Sequence, residues 1–258
     1  MNERHEWTLR VYDCTFYLEP APQGSDAPYL VVPGHRTFEA GHIPGADFLD
    51  LQKEFSDSST QLRFMMPAVA QLEDAFGRHG LDASKEIVLY SIGTMMWATR
   101  FWWMLRSLGV ATKVLDGGSD KWKAEGRPVE TGQAKGYPAA TFKALPRPGL
   151  FVDKSHVLAR MNDPATTIIN ALGPQFNRGL EPSRYGRPGR IPGSVNVTAA
   201  TLVNPTDKTP TTLADAEAKF ASPVPRSPGN ICPHEPSSSS MWLSECALIF
   251  MASRSKAA

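Results

Sequence analysis

Cysteine is scarce in this chain of 258 residues: Cys14, Cys232 and Cys246 form an odd, widely spaced set. Such a set excludes a disulfide framework as the basis of the fold and points to a reducing, cytoplasmic setting. Net charge is almost absent, at +1, which removes any global pull toward nucleic acid or a membrane surface. Long apolar runs are missing too, and none approaches the ~18 residues of a membrane span. The opening MNERHEWTLRVYDC is charged and has no apolar signal core, so export is not expected. What is present is a chain 41% apolar and 21% charged, long enough for one large domain or two ordinary ones with real cores.

Its most informative feature is a near-repeat. Residues 41–46 read GHIPGA and residues 189–194 read GRIPGS, 148 positions further on. Around the first copy the chain alternates between two periodicities. LRVYDCTFYL (9–18), YLVVPG (29–34), EIVLYS (86–91) and ATKVLDGG (111–118) have the apolar, β-branched or aromatic character of strands. PAVAQLEDAFGRHG (67–80) predicts an amphipathic helix, with Pro67 at its start and Gly80 at its end. MMWATRFWWMLRSLG (95–109) predicts a largely buried helix closed by Gly109, and DKWKAEG (120–126) a short one. Strands alternating with helices predict an α/β unit with a mostly parallel sheet.

Residues 132–149, GQAKGYPAATFKALPRPG, are rich in Gly and Pro and read as a linker. The element order then restarts: a helix over 155–162 behind Ser155 as cap, a strand over 166–172, the second hexapeptide, and a helix over 212–220. Matching order around matching hexapeptides predicts a duplication, with modules at 1–131 and 150–258. The second copy lacks sequence for a last strand and turn equivalent to VLDGG, and the tail from about residue 222 turns rich in Pro and Ser. The expectation is an incomplete second module, with an unusual or altered end.

FEAGHIPGADFLDL, IVLYS followed by WWMLRSLG, and VLDGGSDKWKAEGRPVETG closely resemble the N-terminal half of tandem-domain rhodaneses, the thiosulfate and 3-mercaptopyruvate sulfurtransferases. INALGPQFNRG and SRYGRPGRIPGSVNV resemble the opening of their C-terminal half, and the likeness spans about residues 9–225. It implies two rhodanese-like modules, each a parallel sheet flanked by helices. It also implies a sulfurtransferase in which a cysteine in a strand-to-helix loop of the C-terminal module becomes a persulfide. The donor would be a small sulfur anion and the acceptor a thiol or cyanide, with no metal, organic cofactor, nucleic acid or membrane required. A loop of that kind turns backbone N–H groups inward at a helix start, which lowers a thiolate pKa.

On that resemblance Ser91 stands at the loop position of the first module, where a serine with no adjacent base cannot carry sulfur, so this half is expected to be inert. Trp97, Trp102 and Trp103 behind it are expected in the core, as are Cys14 and Cys246. His42 and Arg190, next to Ile-Pro-Gly, are expected to belong to loop architecture, His42 as polar surface and Arg190 with a possible second role toward an anion. Cys232 is the candidate nucleophile, in ICPHEPS. Its loop departs from the family pattern: Pro233 and Pro236 remove amide donors, Glu235 adds a charge that raises a thiolate pKa, and an ungapped register puts His234 in the cysteine's place. Arg178, Arg184, Arg187 and Arg190 form a basic stretch suited to orienting an anionic donor, with Arg178 and Arg184 preferred. The rival reading is a rhodanese-like chain without activity, serving in binding or structure or as no functional product. A zinc site on Cys232, His234 and Cys246 has no standard ligand spacing, and a cysteine phosphatase loop would need an arginine where Ser238 stands.

Overall fold

The structure is a computed structural model describing residues 9–25, 27, 29–60, 62–181 and 188–221. The chain divides into two compact units: Met1–Glu19 with Val31–Pro148, and Pro20–Leu30 with Gly149–Ala258. Both are α/β.

In the first unit, β1 (Leu9–Asp13), β2 (Phe16–Glu19) and β3 (Leu30–Pro33) precede α1 (His35–Ala40), β4 (Asp47–Phe48) and α2 (Val69–Arg78). Then follow β5 (Glu86–Tyr90), α3 (Met96–Ser107), β6 (Lys113–Val114) and α4 (Gly118–Ala124). The main sheet has the order β4-β1-β5-β6 and its pairings are parallel. The strand expected over 9–18 is in fact two. Asp13 Oδ1 accepts the Thr15 N–H at 2.8 Å and the Thr15 hydroxyl at 2.5 Å, a local turn that outcompetes the ladder and ends β1. The helices at 67–80 and 95–109 form within a residue or two of their expected ends. Trp97, Trp102, Trp103 and Cys14 are buried, as expected. Rings join the layers: Phe76 of α2 lies 6.3 Å from Phe101 of α3 and 5.7 Å from Phe142.

The second unit contains α5 (Lys154–Arg160), β7 (Ile169–Asn170), α6 (Pro174–Arg178), β8 (Val195–Asn196), a 3-10 turn over Ala199–Leu202 and α7 (Leu213–Ala221). Asp153, not Ser155, caps α5: its carboxylate accepts the His156 N–H at 2.8 Å, because the helix starts a residue earlier than expected. β7 and β8 pair in parallel, and Phe220 packs on buried Leu202 and Ala216. Among the described residues no helix is long and apolar enough to cross a membrane.

The two hexapeptides share one turn. Ala46 N–H reaches Ile43 O at 3.0 Å, and Ser194 N–H reaches Ile191 O at 3.1 Å. Gly45 and Gly193 have φ of 75° and 77°. Pro followed by a left-handed Gly inside such a bond is a type II turn. The strands flanking the turns also correspond. Asp13 Oδ1 takes the Thr15 N–H in one unit, and Asn170 Oδ1 takes the Leu172 N–H at 2.9 Å in the other. Leu49 N–H bonds Asp13 O, and Val197 N–H bonds Asn170 O. A turn and a register shared this closely are a repeated fold.

Candidate functional site

In the first unit the chain leaves β1 toward β4 on one side, while β5 leads to β6 on the other. A parallel sheet opens a crevice outside the strand ends at such a reversal. The C-terminal ends of β1 and β5 put Asp13, Cys14 and Thr15 beside the loop Ser91-Ile92-Gly93-Thr94-Met95 that feeds α3. The turn after β6 closes the third side, with Gly117 and Gly118 at φ of 71° and 55°. A Cβ on Gly118 would stand 2.3 Å from Ser91 O, so only glycine lets this turn lie against the loop.

The loop is filled by the chain's own groups. Ser91 is buried and donates its hydroxyl proton to Thr94 O at 2.5 Å. Ile92 N–H is taken by Thr15 Oγ1 at 3.1 Å, Gly93 N–H by Asp120 Oδ2 at 2.6 Å, and Thr94 N–H by Ile92 O at 2.8 Å. An incoming anion would find these donors engaged and a carboxylate at its side. Among the described residues no imidazole is hydrogen-bonded to Ser91. Burial raises the Asp13 carboxyl pKa against the two Thr15 bonds that lower it, and burial with the Asp13 charge pushes the Cys14 thiol well above its ordinary range. Cys14 lies beside this loop wholly buried, an environment that disfavours a thiolate.

His42 departs from expectation. It is buried rather than surface, its ring stacked on Phe38 with centroids 3.8 Å apart and Nδ1 2.8 Å from Phe38 O. The hexapeptide thereby anchors to α1. A second histidine, unremarked in the sequence, holds α2 to the sheet: His79 Nδ1 lies 2.7 Å from Asp47 Oδ2, and Nε2 lies 3.3 Å from Glu54. Burial lowers its pKa, but the two carboxylates outweigh burial and raise it to about 9.

In the second unit the equivalent of the β1 end is the turn Asn170–Gly173, which leads into α6. Arg178 ends α6 and Arg190 lies in the hexapeptide; both are exposed. Their segments adjoin. Arg190 Nη1 donates to Asn177 O at 3.3 Å, and the Cβ position of Gly179 lies 3.3 Å from Gly189 N. Among the described residues neither arginine is in an ion pair with an acid. Arg184, Arg187, Cys232, His234 and Cys246 lie outside the described residues. Asp120 and Asn196, the latter described below, carry no signal in either module alone. Only aligning the two copies singles out Asn196, because Phe48 occupies its place in the first.

A sequence profile of the rhodanese-like domain matches residues 13–125. The probable 3-mercaptopyruvate sulfurtransferase of Pseudomonas aeruginosa is 33% identical over 192 residues, 72% of this chain and 63% of that protein. The thiosulfate sulfurtransferase of Gallus gallus is 31% identical over 199 residues, 76% of this chain and 64% of that one. The crystal structure of SseA from Escherichia coli, described with the rhodanese fold and catalytic mechanism of 3-mercaptopyruvate sulfotransferases, superposes with a TM-score of 0.72 at 25% identity. It covers 94% of this chain and 87% of that one. This chain spans less than two thirds of the length of the curated relatives it matches.

Proposed function

Because the chain belongs to the rhodanese family, we propose that it is a sulfurtransferase whose second module carries sulfur on Cys232 while its first module is inert. The observation that carries this reading is the repeated strand-end architecture. One copy has its loop donors satisfied internally around Ser91, and the other presents Arg178 and Arg190, in no ion pair with an acid among the described residues, on adjoining segments. In the reaction, the Cys232 thiolate attacks the outer sulfur of thiosulfate. A sulfur–sulfur bond forms on the enzyme as the donor's own breaks, and sulfite departs with the electron pair. With 3-mercaptopyruvate the carbon–sulfur bond breaks and pyruvate leaves after taking a proton. Cyanide or a thiolate then attacks the terminal sulfur and restores the Cys232 thiolate. Arg178, Arg184 and Arg190 would hold the donor's anionic end, since guanidinium groups pair with oxyanions through two parallel hydrogen bonds. This chemistry asks for no metal or organic cofactor, and its thiolate suits a reducing cytoplasm.

The second reading, a rhodanese-like chain without activity, draws on Pro233, Glu235 and Pro236 around Cys232, which weaken any anion cradle there. Both readings meet in one assay. Sulfur transfer from thiosulfate and from 3-mercaptopyruvate to cyanide is followed from about pH 6 to about pH 10. Weak activity is expected, rising with pH as the thiol ionises, abolished in Cys232→Ser and unchanged within about twofold in Ser91→Ala. Full activity in Cys232→Ser would refute the carrier assignment; no activity in the parent chain selects the second reading.

A further inference from the structure

The turn between β7 and α6 is held from the side by a residue of β8. Asn196 donates both amide hydrogens to backbone carbonyls: Nδ2 lies 2.7 Å from Asn170 O and 2.8 Å from Leu172 O. Both acceptors are carbonyls, so the amide must face them with its nitrogen. Thr198 adds its hydroxyl to Leu172 O at 3.3 Å, and Asn170 Oδ1 holds the Leu172 N–H. Ala199 N–H bonds Ala171 O at 2.9 Å. The three residues before Gly173 are thus fixed on every side.

Gly173 is the cap of α6, and Arg178 is the last residue of that five-residue helix. So short a helix has no rigidity to spare, and its direction is inherited from the turn that launches it. Its far end is tied at Asn177 O to Arg190. The first module treats the same place differently. In register, Asp13 pairs with Phe48 where Asn170 pairs with Asn196. Phe48 is buried against Phe38, Phe16 and the His35 ring. One copy uses the position for packing, and the other places a half-buried amide against the turn that leads into α6.

We propose that Asn196 is a positioning residue: its amide sets the launch of α6 and so places Arg178, and through Asn177 also Arg190, for the anionic end of the sulfur donor. This rests on the arginines being the donor site, as proposed above, and the test separates the two claims. In a Cys232→Ser chain, which cannot turn over, thiosulfate binding is measured by calorimetry. Asn196→Ala is expected to weaken binding about fivefold or more, and Asn196→Ser, which keeps one donor, by less. Leu202→Ala serves as control. It cuts the core of the same unit and lowers the melting temperature without touching the turn, so its affinity is expected to stay at the parent value well below melting. A structural role alone would make Asn196→Ala behave as Leu202→Ala does. Equal affinities in those two variants, with binding lost in Arg178→Ala, overturn the role of Asn196 and leave the arginine site standing. Parent-like affinity in both Arg178→Ala and Arg190→Ala, or no binding by the parent, overturns the arginine site and the inference with it.

Discussion

The charge of His79 ties α2 to the sheet. It sits at the end of α2, half-buried, with Asp47 on one ring nitrogen and Glu54 on the other. Arg78 pairs with Glu54 and with Asp74 from the same helix end, and Tyr12 donates its hydroxyl to His79 O at 3.0 Å. In an unfolded chain the imidazole titrates near 6.5, whereas here it keeps its proton to about 9. The stabilisation is therefore whole below about pH 6.5 and is lost as pH rises through about 9. Its size is on the order of 2–3 kcal/mol. Urea unfolding at about pH 6 and about pH 9.5 should show the parent losing that much more than His79→Gln across the interval. Identical pH slopes in the two chains would mean that the imidazolium contributes nothing.

Among the elements, glycine positions separate two costs that sequence alone merges. Gly45 and Gly193 are needed only for a positive φ: no atom lies within 4 Å of a Cβ built on Gly45, and Gly193 meets only Met161 O at 4.0 Å. Gly45→Ala and Gly193→Ala should each cost about 1 kcal/mol, the strain of a left-handed alanine. Gly118→Ala adds a collision with the Ser91 carbonyl and should cost on the order of 3 kcal/mol or more. Hydrogen exchange in each unit reads the three changes separately. A Gly193→Ala chain as stable as its parent, beside a weakened Gly45→Ala chain, would deny that the hexapeptides share a turn. These turns are legible in sequence because type II geometry asks for Pro and then Gly at adjacent places. The helices at 69–78 and 96–107 are legible because their apolar spacing is long and bounded. The break at Asp13 is not, since Asp-Cys-Thr lies inside a largely apolar stretch and the two hydrogen bonds to one carboxylate oxygen decide it. Asn196 is not either, for its partners are backbone carbonyls, and backbone has no sequence.

At the scale of the whole molecule, the stretch whose composition suggests a linker behaves as a strap on the first unit. Tyr137 accepts the Val11 N–H at 2.9 Å on its hydroxyl and donates to Gly45 O at 2.7 Å. Ala140 N–H bonds Gly77 O at 2.9 Å, Ala144 N–H bonds Glu73 Oε1 at 2.9 Å, and Leu145 N–H bonds Leu108 O at 2.8 Å. Phe142 is buried between these anchors, and the first unit runs to Pro148. The glycines that let the strap lie flat are far away in sequence: a Cβ on Gly77 would come 2.8 Å from Ala140 O, and one on Gly109 2.8 Å from Leu145 O. In sequence Gly109 reads as a helix stop and Gly77 as part of a helix, which is why composition alone misjudges the strap. Trypsin offers a direct reading, because Lys143 lies in the anchored part and Lys135 precedes it. Cleavage needs about ten residues of extended chain, so Lys143 should be spared until the strap detaches. Phe142→Ala removes the buried ring at a cost of about 3–4 kcal/mol and should speed cutting at Lys143 by on the order of 100-fold, while Lys135 changes little. Mass spectrometry of the fragments distinguishes the sites. Rapid cutting after Lys143 in the parent chain, at a rate Phe142→Ala does not alter, would show that the strap is not held down and that the first unit ends before it.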